Sequence, residues 1–87
     1  MSEEKLTMKQ GYIYYLDYGS NTQIVGRYKD SDATNHNFFD LIHYWNSSET
    51  FRSRNEYCVK NGIENIRRAT KAEKHRLFQF EMENDCI

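Results

Sequence analysis

Apolar residues fall into short alternating runs over the first half of the chain and into a single helical arc near its end. Tyr12-Ile13-Tyr14-Tyr15-Leu16 and Thr22-Gln23-Ile24-Val25-Gly26-Arg27-Tyr28-Lys29 are rich in aromatic and β-branched side chains that suit a pleated surface. Between them stands Asp17-Tyr18-Gly19-Ser20-Asn21, so the pair reads as a hairpin with a five-residue, Gly-containing loop. Ile24 and Tyr28 share one face of the second strand with Gly26 between them. A glycine there marks a bulge or the close approach of another side chain.

Residues 30–37 combine Asp, Ser, Thr, Asn and His and are expected to form a loop whose side chains bond to backbone. Phe38-Phe39-Asp40-Leu41-Ile42-His43-Tyr44-Trp45 supports two patterns. Phe38, Leu41, Ile42 and Trp45 lie at helical spacing, whereas a strand places Phe39, Leu41, His43 and Trp45 opposite Phe38, Asp40, Ile42 and Tyr44. The run is short, half aromatic and abruptly closed by Asn46-Ser47-Ser48, which favours the strand. Residues 46–55 are polar around a lone Phe51 and read as loop.

Asn61-Gly62 is the strongest hairpin signal in the chain, because both residues tolerate positive φ. A two-residue turn there pairs Glu56 with Arg67 on the outer face and turns Tyr57, Val59 and Ile66 toward the core. It also sets Cys58 outward and Arg68 on the other side near Asn55. Thr70-Lys71-Ala72-Glu73 is a capping box, in which the Thr70 hydroxyl and the Glu73 carboxylate each satisfy a free N–H of a helix start. The helix is expected from Lys71 to Glu83, offering Leu77, Phe78, Phe80 and Met82 to the sheet, with Lys74 and Glu81 interrupting the apolar arc. The expected fold is therefore α+β: a small antiparallel sheet of four or five strands, closed or half-closed on itself, with one C-terminal helix packed across it. Residues 1–10 are unpatterned and read as a flexible N-terminal arm, leaving 11–87 as a single domain.

Composition adds limits. Seven Tyr, five Phe and one Trp in 87 residues supply a ring-rich core for so short a chain. Net charge is −1, so no global field draws the protein onto nucleic acid or a membrane, and any such partner must meet a local patch. Acidic residues near Met1 do not resemble a signal peptide, and no run is long enough to span a bilayer, so the expectation is a cytoplasmic protein with no membrane contact. Cys58 and Cys86 are then expected as free thiols.

That patch exists. Between Arg52 and Arg76 the chain carries eight Lys or Arg against three acids. Arg52, Arg54, Arg67, Arg68, Lys71 and Arg76 are the candidate partner-binding cations, with Tyr44 and Trp45 as candidate exposed rings. They suit phosphate or an acidic protein surface. The competing explanation is an ordinary solvated helix end and strand face. His36, Asp40 and His43 would form a metal cluster only if residues 36–43 were helical, and on a strand Asp40 and His43 point to opposite faces. With no Gly-rich phosphate loop, nucleophile elbow or Cys-x-x-Cys, neither an enzyme nor a cofactor is expected, and no metal site is assigned.

Ile66-Arg67-Arg68-Ala69-Thr70-Lys71-Ala72-Glu73-Lys74, preceded by two hairpins, resembles a loose group of small phage and prophage accessory proteins with an IR-x-AT-x-x-EK entry into a terminal helix. The resemblance implies a context, that of mobile-element proteins including anti-CRISPR inhibitors of bacterial defence, and it transfers no functional residues. The expected function is thus a non-enzymatic, phage-derived binding protein in the cytoplasm of a host bacterium. Its partner would be a host defence protein or ribonucleoprotein, such as an RNA-guided nuclease. The alternative is a small regulator that binds RNA or DNA through residues 52–76. The sequence leaves the oligomeric state open.

Overall fold

A computed structural model describes residues 8–60 and 65–84, the side chains of 54–60 excepted. Five strands form one antiparallel sheet: β1 (Ile13–Gly19), β2 (Thr22–Ser31), β3 (Asn35–Trp45), β4 (Ser48–Lys60) and β5 (Asn65–Arg68), followed by helix α1 (Lys71–Glu83). The strand order is β4-β3-β2-β1-β5, an open α+β sheet whose edges are β4 and β5. No helix among the described residues is long and apolar enough to cross a membrane.

The connections are tighter than the sequence suggests. Ser20 and Asn21 alone turn the first hairpin, at φ 52° and 61°, so β1 extends to Gly19. Asn46 and Ser47 repeat the device at φ 50° and 71°, and residues 48–55, expected as loop, form the first part of β4, which continues through the strand expected at 56–60. Paired positive φ matches the right-handed twist of flanking strands, which is why two residues suffice. The expected loop at 30–37 shrinks to 32–34. There the Asp32 carboxylate accepts from the N–H of Thr34 and Asn35 at 2.9 and 2.8 Å, closing an Asx turn.

Residues 38–45 are strand, as favoured, but their alternation slips. A bulge between Phe38 and Asp40 shifts the pairing with β4. Phe38 consequently packs with Leu41 rather than with Ile42. The sheet thus has two apolar faces. One gathers Tyr14, Leu16, Ile24, Tyr28, Phe38 and Leu41, with Met8 and Ile66 against them. The Lys9 N–H donates to the Tyr14 hydroxyl at 2.9 Å and holds the entry into β1 there. Gly26 lies on this face because a Cβ would meet Phe38 Cδ2 at 2.6 Å and Leu41 Cβ at 2.9 Å. This is the close approach that its position between Ile24 and Tyr28 implies. The second face gathers Ile13, Val25 and Ile42 with Ala69 and Leu77, and α1 covers it.

The largest correction concerns β5. The Asn61-Gly62 turn itself lies outside the described residues, as do the side chains of Tyr57, Cys58 and Val59, but the pairing expected of it does not occur. β4 pairs with β3, and β5 pairs with β1 at Tyr15 opposite Arg67 and Leu16 opposite Ile66. Arg67 therefore does not face Glu56, and Arg68 stands opposite Tyr14 rather than near Asn55. Propensity and turn chemistry favour a local hairpin. The pairing with β1 instead lets Ile66 join the face of Leu16 and carries Ala69 beneath the helix.

Helix α1 begins as read. Thr70 Oγ1 accepts from the Glu73 N–H at 3.2 Å and Glu73 Oε1 from the Thr70 N–H at 2.8 Å. Its buried side differs from expectation. Leu77 and Glu81 are buried and Phe80 partly so, whereas Phe78 and Met82 face solvent.

Candidate functional site

Two polar constellations stand out, one beneath α1 and one beside it. Beneath it, alternation along β2 and β3 puts Arg27 two residues after Val25 and Asp40 two before Ile42, both on the helix-covered face. Glu81 follows Leu77 by one helical turn and arrives at the same place. Arg27 Nε and Nη2 donate to the two Glu81 oxygens at 3.0 and 2.9 Å, and Nη1 donates to the Gly11 carbonyl at 3.1 Å. With those donors committed, Asp40 Oδ1 is buried with no hydrogen-bond partner. Burial, and next the neighbouring Glu81 carboxylate, push the Asp40 pKa up from 3.8 to about 8. Asp40 is thus a neutral acid at pH 7, and the group holds one anion and one cation.

The sequence-selected cations disperse. Arg67 is bound by both Glu73 oxygens at 2.8 and 2.9 Å and lies 3.9 Å over the Tyr15 ring. Burial raises Glu73, yet Arg67 and the Thr70 N–H outweigh it and hold its pKa below the ordinary value. Arg76 donates to both Glu49 oxygens at 2.7 and 3.0 Å and covers Phe80. That bidentate contact lowers the Glu49 pKa. Tyr44 is half-buried on the helix-covered face, and burial followed by Glu49 raises its hydroxyl to about 12. Trp45 is 58 % exposed at the end of β3. Arg52 projects from β4 opposite Leu41, and the Arg54 side chain is outside the described residues. Asp40 and His43 fall on opposite faces, as a strand requires, while His36 is buried and bonded to the Ser31 hydroxyl at 2.7 Å. Among the described residues no group of three His, Cys, Asp or Glu comes together as a metal cluster.

What remains is a second constellation beside the helix. Arg68 leaves β5 with its guanidinium 4.8 Å over the exposed Tyr12 ring. Lys71 and Lys74 stand in the first turn of α1, and Phe78 follows Lys74 at i+4 with 37 % of its surface exposed. Among the described residues, no carboxylate forms an ion pair with Arg68, Lys71 or Lys74. A cleft of about 220 Å³ is lined by Gly11, Tyr12, Ile13, Arg27, Arg68, Lys74 and Phe78. A wider hollow of about 640 Å³ is lined by Lys71, Ala72, Lys74, His75 and Phe78. Lys74 and Phe78 border both, so the two are one continuous basic and aromatic face. Sequence reasoning selected Arg68 and Lys71 but not Lys74, Phe78 or Tyr12. The i, i+3, i+7 spacing of Lys71, Lys74 and Phe78 is the signal that identifies the stripe.

Comparison with protein-family models, with curated proteins and with solved structures finds no match to this chain.

Proposed function

We propose that this chain is a non-enzymatic binding protein of a mobile element, an inhibitor that docks on a negatively charged surface of a bacterial defence effector. One observation carries the reading: among the described residues Arg68, Lys71 and Lys74 stand on one face without carboxylate partners, beside exposed Tyr12 and Phe78, while Arg27, Arg67 and Arg76 are each held by a glutamate. Cations neutralised by internal carboxylates offer little field to a partner, and unneutralised ones set against rings make an interaction face. Binding is favoured over catalysis because Asp40, the carboxyl raised toward neutral pH, lies beneath the helix and lines neither hollow. The phage context comes from the IR-x-AT-x-x-EK resemblance, and an RNA-guided nuclease suits it because such an effector exposes phosphate.

The test is co-expression in a bacterium whose RNA-guided system restricts a plated phage. Restored plating by the native chain, lost in a folded Arg68→Ala, Lys71→Ala, Lys74→Ala triple variant, is the expected result. Unchanged restriction with soluble protein present, across the defence types assayed, overturns the reading.

A further inference from the structure

We infer that the face formed by Arg68, Lys71, Lys74, Tyr12 and Phe78 takes up a single strand of nucleic acid, phosphates on the cations and an unpaired base on Phe78. The inference rests on the binding reading above and names the chemistry of its partner.

Two observations favour it. First, cations and rings lie side by side. Arg68 lies over Tyr12, and Lys74 and Phe78 border the same two hollows. Arg27 lies 5.7 Å over the Phe78 ring and leaves part of that ring exposed; an acidic peptide would use the cations alone, whereas a single strand presents both phosphate and an aromatic face. Second, the shape suits an extended ligand. The cleft of about 220 Å³ and the hollow of about 640 Å³ share Lys74 and Phe78, so the lining continues from one into the other along α1. A duplex has its bases stacked and paired, so it cannot offer one to a ring set in a hollow.

Fluorescence anisotropy of the full chain with a labelled single-stranded oligonucleotide of about a dozen nucleotides, in RNA and DNA forms, tests this. Binding at low salt is expected to weaken with a logarithmic salt slope of about −2, for three phosphate contacts at about −0.7 each. Arg68→Ala should shallow that slope by about 0.7. Phe78→Ala should cost roughly five- to a hundredfold in affinity and leave the slope unchanged. Arg76→Ala, whose guanidinium is held by Glu49, should bind as the native chain does. Circular dichroism melts confirm that each variant is folded. No binding at low salt, equal competition by polyglutamate, or indifference to Phe78→Ala overturns the inference. If restored plating still depends on Arg68, Lys71 and Lys74 while oligonucleotides do not bind, the inhibitor reading stands and the nucleic-acid inference fails. Oligonucleotide binding with restriction left intact has the opposite meaning.

Discussion

The guanidinium of Arg27 grips both oxygens of Glu81, 54 positions later in the chain, and joins the middle of the sheet to the last turns of the helix. Glu81 is 1 % exposed, and Arg27 is the cation its carboxylate meets. Removing one partner of a buried pair leaves an uncompensated charge, which typically costs about 3–5 kcal/mol. Arg27→Ala is expected to fall in that range by urea denaturation. Arg27→Lys should not rescue it, because an ammonium cannot span two oxygens and the Gly11 carbonyl at once. The double replacement Arg27→Leu, Glu81→Leu should be far milder than the sum of the single losses.

Asp40 gives stability a pH dependence of a definite sign. Its pKa is about 8 in the folded chain against 3.8 ordinarily, so the folded state holds a proton that the unfolded state releases. Stability from this group is full below about pH 4 and is lost as pH rises through about 8, with a slope of up to about 1.4 kcal/mol per pH unit. Glu49 and Glu73, whose values are lowered, act oppositely, and their contribution is lost only in acid, as pH falls through values below 4.5. Denaturation midpoints should therefore fall from pH 5 to pH 9. Asp40→Asn should flatten that decline and be more stable than the native chain at pH 9 by about 1 kcal/mol or more. A native profile flat over this interval would remove the assignment.

Gly26→Ala is expected to destabilise by about 1–3 kcal/mol, since its methyl would enter the space of Phe38 and Leu41. Phe38→Leu in the same chain should recover only part of the loss. The Leu41 Cβ contact is fixed by backbone and cannot be relieved by rotation.

The two-residue turns point to a gain. Ser47 is held at φ 71°, a region where a Cβ is costly and glycine is not. Ser47→Gly, which makes an Asn-Gly turn after β3, should stabilise the domain by roughly 0.5–1 kcal/mol. At the helix start, Thr70→Ala should cost about 1 kcal/mol through loss of the cap, read from the same denaturation curves.

Those particular residues also show how far the sequence reveals this fold. The capping box at Thr70 and Glu73, the role of Gly26 and the strand at 38–45 are legible because each rests on local stereochemistry or on a pattern within one element. The first part of β4 is not, because an edge strand needs no continuous apolar face and residues 48–53 are mostly polar. The partner of β5 escapes for another reason. A turn signal specifies what is nearest in the chain, and Leu16 and Tyr15 lie far back in it. The basic face is half legible: Lys71 and Arg68 stand in the charged segment, but only the structure brings Tyr12 alongside them. Arg27, Asp40 and Glu81 each look like a polar break in an apolar pattern, and their meeting becomes visible only when strand and helix phases are read together.

The pairing of β5 with β1 has a kinetic side. Until residues 65–68 arrive, β1 presents a row of unpaired backbone groups, and the helix that covers Ile13, Val25 and Ile42 follows directly from them. Sheet completion and helix docking should therefore be one late event that spans most of the sequence, whereas β1 to β4 pair with one another only as neighbours in the chain. Fragments that stop before residue 65 would expose both a bare strand edge and an apolar sheet face, the combination that recruits other chains into aggregates.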